Sequence, residues 1–218
     1  MKNEAKTKII LVIALLGYWV IALTGCVRND IKNINSRGKN IICFGDSITS
    51  GYGVDHGENY PSFLSKMLGM PVVNAGIDGD TSVGGLQRIE MDVLEREPLL
   101  VVIEFGGNDF LYKIPQELTI KNISEMIDRI QAKGAMVALV DVSADIFLNE
   151  YGPLFEKIAQ EKGTIFIPKV FKGIIIDANL KIDFIHPNGF GYKIITHRIY
   201  RAILPYVNQN NILKRFIK

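Results

Sequence analysis

Asn40-Ile41-Ile42-Cys43-Phe44-Gly45-Asp46-Ser47-Ile48-Thr49 opens on a short apolar run and breaks at a glycine into an acid and hydroxyl side chains. A run that does not alternate is the mark of a strand covered on both faces, because both sides of the pleat then need apolar residues. Four further runs have this character, at residues 71–73, 99–105, 136–142 and 164–167. Between them lie stripes at helical spacing: Tyr60, Phe63, Leu64, Met67 and Leu68; Leu86, Ile89 and Val93; Ile123, Met126, Ile127 and Ile130. Each makes one apolar face of a helix. Gly134 after Lys133 and Gly163 after Lys162 stand where left-handed helix-ending residues are expected. A last stripe, Tyr192, Ile195, Ile199 and Ala202, predicts a closing helix that ends at Pro205. Strand and helix in alternation predict a three-layer α/β fold around a five-stranded, mainly parallel sheet.

The chain has 218 residues, 48% hydrophobic and 22% charged, with 25 basic and 23 acidic side chains. That is one globular domain with a terminal appendage, and a near-balanced charge gives no electrostatic case for nucleic acid as a partner. Two cysteines, Cys26 and Cys43, build no disulfide framework. The appendage is N-terminal. Lys2, Lys6 and Lys8 precede an uncharged run over residues 9–23, followed by Thr24, Gly25 and Cys26. A basic head, an apolar middle too short to span a bilayer and a small-residue end read as a secretory signal over residues 1–25. Leu23-Thr24-Gly25-Cys26 resembles the lipobox of bacterial lipoproteins, which implies cleavage before Cys26 and lipidation of its thiol. Removing residues 1–25 takes away three Lys and one Glu, so the remainder is formally neutral. Residues 27–39, polar and rich in Asn, are expected to be a tether reaching roughly 45 Å when extended. A single folded domain over residues 40–206 and a tail over 207–218 complete the expected layout.

In an open parallel sheet, ligands bind beyond the carboxyl ends of the strands. The strands here run into Gly45-Asp46-Ser47, Asn74-Ala75-Gly76 and Gly106-Gly107-Asn108-Asp109, and the last helix is preceded by Asp183-Phe184-Ile185-His186-Pro187-Asn188. Ser47 is the nucleophile candidate, since Cys43 lies inside an apolar strand. A serine hydroxyl needs a base, and the base needs an orienting partner. Asp183 and His186 are three residues apart, so one turn can bring the carboxylate to Nδ1 and leave Nε2 facing Ser47. Backbone N–H groups of Ser47 and Gly76 and the side-chain amide of Asn108 are candidate donors to an oxyanion.

These blocks stand in the order and spacing of the SGNH (GDSL) hydrolases, and the chain resembles the branch of bacterial acyl-CoA thioesterase I/lysophospholipase L1 and arylesterases over residues 40–204. Gly79-Asp80-Thr81-Ser82, Glu104-Phe105-Gly106-Gly107-Asn108-Asp109 and Ile185-His186-Pro187-Asn188 carry the likeness most closely. The resemblance implies a flavodoxin-like α/β/α hydrolase with Ser47 as nucleophile, His186 as base, Asp183 as its partner, and Ser47, Gly76 and Asn108 as the oxyanion hole. It implies no metal and no organic cofactor. Asp46 and Asp109 take structural roles under it. Phe184 stands where that branch often has a small residue, which bears on pocket shape.

His56, in a glycine-rich loop, and His197, on the last helix, are read as solvated or structural, and no metal-ligand spacing is present. Neither a dinucleotide fingerprint nor Gly-x-Ser-x-Gly occurs. The stretch 110–115 after Asn108-Asp109, faced by Asp145-Ile146-Phe147-Leu148, is a candidate acyl groove. The expected activity is that of an extracytoplasmic, membrane-anchored serine esterase acting on carboxylic esters or thioesters, with a small acyl ester, a lysophospholipid or an acylated glycan as substrate. A carbohydrate O-acetylesterase is the nearest alternative reading; a binding lipoprotein that keeps the fold without catalysis is a further one.

Overall fold

The computed structural model describes residues 30–144 and 148–210. The chain divides after Asp30, and among the described residues the strands and helices belong to the unit that begins at Ile31. The signal segment, Cys26 and Asp145-Ile146-Phe147 lie outside the described residues.

Among the described residues, five strands stand where the apolar runs predict them: β1 (Asn40–Gly45), β2 (Val72–Gly76), β3 (Pro98–Glu104), β4 (Met136–Val140) and β5 (Ile165–Ile167). Their order is β2-β1-β3-β4-β5 and every neighbouring pair is parallel. This is the doubly wound order in which the chain reverses direction between β1 and β3 and opens a crevice at their carboxyl ends. β3 and β4 are buried along their whole length, whereas the edge strand β2 turns Asn74 outward.

Seven helices among the described residues connect the strands: α1 (Ser47–Ser50), α2 (Tyr60–Leu68), α3 (Ser82–Asp92), α4 (Gly107–Leu111), α5 (Gln116–Ala132), α6 (Tyr151–Lys162) and α7 (Gly189–Gln209). α2 packs with α7, while α3 packs with α5 and α5 with α6, which gives the sheet a cover on each face. Side chains set the helix starts. Asn59 accepts from Ser62 N–H ahead of α2, Thr81 from Gly84 N–H ahead of α3, and Asn188 from Phe190 and Gly191 N–H ahead of α7. Each satisfies donors that the first turn leaves over.

Two expectations are corrected. α7 does not stop at Pro205 but continues to Gln209. Proline there removes the partner of the Arg201 carbonyl, and Arg201 is exposed, so water can replace the lost donor. Ile203 and Val207 are buried on either side and hold the turn against the core. The second concerns the tether. From Ile31 on, the chain is docked: Lys32 N–H donates to Gly163 O at 2.9 Å, Asn33 Nδ2 to Gln131 O at 2.8 Å and to Ala135 O at 2.9 Å, and Asn210 Nδ2 to Ser36 O at 3.0 Å. Gly38 is so close to β3 that a Cβ there would lie 1.9 Å from Pro98 O. Residues 31–39 of the expected tether therefore belong to the folded domain; residues 27–29 lie outside the described residues.

Arg88, on α3, ties the strand ends to the helix layer. Its guanidinium donates to Gly45 O (3.0 Å), Ala75 O (2.9 Å), Asp80 (2.7 Å) and Asp92 (2.8 Å) and lies 4.4 Å from the ring centre of Phe44. Phe44 in turn meets Phe105 edge to face at 5.1 Å. The side chains of Arg88 and Asp80 are 13% and 11% exposed, so truncation leaves the largely buried Asp80 carboxylate without its cation, bonded only to Thr81 N–H, and takes a donor from the Gly45 and Ala75 carbonyls. Arg88→Ala is expected to lower the unfolding free energy by about 3 kcal/mol, read as a shift of the urea midpoint at unchanged slope.

Candidate active site

At the carboxyl edge, Gly45 pairs with Gly76 on one side and with Glu104 on the other, so three strands end at one level. α1 lies directly across them. A Cβ on Gly76 would sit 2.1 Å from Ser50 N, and one on Gly45 would sit 2.2 Å from Thr49 Oγ1 and 2.5 Å from Glu104 O. Neither position tolerates a side chain while α1 stays in place. Asp46 accepts from Ile48 N–H at 3.0 Å and so caps α1, which Gly51 ends in the left-handed region at φ 95.

Ser47 is the first residue of α1 and is buried, with its Oγ 3.0 Å from His186 Nε2. His186 Nδ1 is 2.7 Å from Asp183 Oδ2. The carboxylate accepts from Nδ1–H, which leaves the Nε2 lone pair facing the hydroxyl. Asp183 also accepts from the N–H groups of Ile185 (2.9 Å) and His186 (2.8 Å). Slight burial works to raise its carboxyl, but the bonds from His186 and Ile185 outweigh it and hold Asp183 below the usual carboxylate range. The loop itself is pinned by a bridge between Lys181 and Pro187 and by Ile182 N–H donating to His186 O at 2.9 Å. Tyr52 packs on the imidazole at 4.5 Å between ring centres.

The candidate oxyanion donors share this edge. Ser47 N–H, in the first turn, has no acceptor within its own helix. Gly76 N–H donates to Asn74 Oδ1 at 2.9 Å. Asn108 Nδ2 donates to Asp80 O at 2.8 Å and, at a longer 3.3 Å, to Asp46 Oδ2. Two of these three candidate donors are thus engaged already, Gly76 N–H by Asn74 and the Asn108 amide by Asp80 O and Asp46.

Beneath the serine lies a pair of carboxyls. Asp46 and Glu104 are both buried and hydrogen-bonded to each other, and Glu104 accepts from Thr49 Oγ1 at 2.9 Å. Burial pushes Asp46 up to about 6. Burial and then the neighbouring Asp46 charge push Glu104 well above the usual range. Cys43, in β1, is a packed thiol that burial pushes up to about 12.

A cavity of about 130 Å³ opens from Ser47 and Asn108 between apolar walls that include Ile48, Phe110, Leu111, Phe171, Ile175 and Phe184. Phe110, Leu111 and Leu148 stand in it as the sequence predicts, while Tyr112 turns out to solvent. Asp109 joins α4 to its neighbours by accepting from Ser82 N–H (2.9 Å), Ser82 Oγ and Thr119 Oγ1 (3.0 Å). His56 and His197 are exposed and outside the site. Among the described residues no cluster of His, Cys, Asp or Glu could hold a metal ion. Glu104, Tyr52, Phe171 and Ile175 join the site without a role that the sequence assigns them. Glu104 had a legible signal, an acid at the end of an otherwise apolar strand; the other three are brought in by loops that periodicity does not describe.

The fold order, the edge on which these groups meet and the blocks that supply them define one class of enzyme. The chain belongs to the GDSL-like lipase/acylhydrolase family, whose profile matches residues 43–194. It is similar to Esterase TesA of Pseudomonas aeruginosa, 29% identical over 178 residues that cover 77% of this chain and 89% of the relative. It is also similar to Thioesterase 1/protease 1/lysophospholipase L1 of Escherichia coli K12, 25% identical over 78% of this chain and 86% of that one. A crystal structure of TesA superposes with a TM-score of 0.72 at 28% identity, covering 77% of this chain and 99% of that one. The protein is a hydrolase acting on ester bonds.

A carboxyl raised in the folded state holds its proton where the unfolded chain has lost it, so it subtracts stability as pH rises from the ordinary carboxylate range to the folded value. For Asp46 that window runs from about 4 to about 6. Asp46→Asn removes the titration and is expected to gain on the order of 2 kcal/mol relative to the parent between those pH values, read from urea unfolding at each pH.

Proposed function

We propose that this protein is a serine esterase that cleaves carboxylic ester or thioester bonds through an acyl-enzyme, with Ser47 as nucleophile, His186 as general base and acid, and Asp183 as its orienting carboxylate. The observation that carries the reading is the relay of 3.0 Å and 2.7 Å from Ser47 through His186 to Asp183, opening onto an apolar cavity. Ser47 Oγ attacks the acyl carbon as its proton passes to Nε2, and the tetrahedral oxyanion takes hydrogen bonds from Ser47 N–H, Gly76 N–H and Asn108 Nδ2. The imidazolium returns the proton to the leaving oxygen or sulfur. Water, activated by the same base, then releases the acid.

The walls around Phe110, Ile175 and Phe184 favour an acyl chain longer than acetyl as the group transferred to Ser47, because burying that chain is where the cavity adds binding energy. A lysophospholipid or another small acyl ester fits this better than an O-acetylated glycan. The basic, apolar and small-residue pattern ending in Leu23-Thr24-Gly25-Cys26 supports export and a lipid anchor at Cys26. An extracytoplasmic site removes acyl-CoA from consideration as the everyday substrate, since that cofactor is cytoplasmic.

The test is a panel of p-nitrophenyl acetate, longer p-nitrophenyl esters, lysophospholipid and acetylated glycan, run on the parent and on Ser47→Ala. The variant is expected to fold and to lose at least about a thousandfold in kcat, together with covalent labelling by a fluorophosphonate. A parent that folds and fails to label is a binding protein, and a preference for acetylated glycan overturns the acyl-chain reading. Asn108→Ala is expected to lower kcat by about 10² to 10³ with KM little changed, which steady-state kinetics on one ester will show.

A further inference from the structure

Glu104 has no part in the acyl-transfer steps, yet it ends β3 at the level of Gly45, under the turn that presents Ser47. It is 3% exposed, as is Asp46, and the two carboxyls are hydrogen-bonded. Two carboxyls in contact away from water cannot both be charged without strong repulsion, so one proton stays between them. The surroundings favour Glu104 as its carrier. Asp46 accepts from Ile48 N–H and from Asn108 Nδ2 and has the His186 ring nearby, all of which favour its ionised form, whereas Glu104 accepts from Thr49 Oγ1 and the Asp46 N–H but stands against the Asp46 charge.

We infer that Glu104 is a positioning residue that stays protonated and donates to Asp46, which holds the cap of α1 in place and keeps the Asn108 amide available to the oxyanion. The inference rests on the proposed roles of Ser47 and Asn108. Asp46 is the link, because it touches both the serine's helix and Asn108. With the Glu104 proton in place, Asp46 is satisfied and holds Asn108 only at 3.3 Å. Remove that proton to solvent hydroxide and the pair carries two negative charges. The amide is then drawn toward Asp46, and a second charge stands beside the place where the oxyanion forms.

The groups facing the pair do not replace this arrangement. Tyr60 from α2 and Tyr192 from α7 are buried phenols near Glu104, and Tyr60 bonds Thr49 Oγ1 at 2.9 Å. Cys43 from β1 bonds Tyr60, and Asp109 from α4 adds negative charge near Asp46. His186 is the one group among these that can carry positive charge, and it is neutral when it acts as base. Burial and the Asp46 charge raise the Glu104 carboxyl well above its ordinary value, which favours its protonated form.

The experiment measures kcat and KM of the full chain on one p-nitrophenyl ester from about pH 6 to about pH 10 for the parent, Glu104→Gln, Glu104→Leu and Ser47→Ala, with a thermal melt at each pH. In Glu104→Gln the amide N–H₂ donates to Asp46 without titrating and its oxygen accepts from Thr49. It is expected to keep more than about a third of the parent kcat near neutral pH and to hold that rate at alkaline pH, where the folded parent falls at least about fivefold in kcat at steady KM. Glu104→Leu, which cannot donate, is expected to lose at least about tenfold at every pH. Identical alkaline profiles for the parent and Glu104→Gln, or a Glu104→Gln as impaired as Glu104→Leu, overturn the inference. If Glu104→Leu does not fold, the comparison of parent with Glu104→Gln decides alone. Activity retained in Ser47→Ala would instead overturn the reading of the nucleophile, so the two failures are told apart.

Discussion

The site depends on one steric constraint, the seating of a four-residue helix across three strand ends. Gly45 and Gly76 have no Cβ, and this lets the backbone of α1 descend onto the sheet to distances that a methyl group would occupy. Three contacts result. Asp46 is brought down with the turn and reaches Glu104; Thr49 is brought over Glu104; Ser47, at the start of the helix, projects toward the loop that carries His186. Had either glycine carried a side chain, α1 would stand off the sheet and each of these contacts would open together.

Close seating has an electrostatic cost. It puts two acids under a serine in a region from which water is excluded, where an isolated carboxylate is strongly disfavoured. The protein meets this in two ways. Within the pair, hydrogen bonds from Ile48 N–H, Asn108 Nδ2 and Thr49 Oγ1 surround the carboxyl oxygens. On the α3 side, Arg88 neutralises Asp80 and Asp92 while its fork donates to the Gly45 carbonyl at the end of β1 and the Ala75 carbonyl near the end of β2. Acid is thus tolerated at the edge because the neighbouring layer brings a cation and donors to the same level.

Much of this can be read from the chain, for identifiable reasons. The five strands are legible because burial on both faces removes polar residues from them, and the helix ends at Gly134 and Gly163 are legible because a left-handed residue favours glycine. That Ser47, Asp183 and His186 meet is legible because their residue types and spacing suit one chemistry. What escapes has a different origin. Pro205 is read as a stop because local propensity argues for one, and packing of Ile203 and Val207 overrides it. Residues 31–39 look like a tether because their composition is polar, yet Asn33 and Asn210 spend that polarity on backbone carbonyls of the domain. The apolar walls at Phe171 and Ile175 lie in a turn-rich stretch with no period to reveal them.

The loop carrying the imidazole is bound chiefly to itself. Asp183 takes two backbone N–H groups and one ring N–H from residues within three positions of it, and the Lys181 to Pro187 bridge closes the segment around them. Imidazole and carboxylate are therefore tied into one unit, whose internal geometry is set by bonds the loop makes to itself. A shift of the loop as a body alters the distance and angle at which Nε2 meets the Ser47 hydroxyl and leaves the bond from Nδ1 to the Asp183 carboxylate intact.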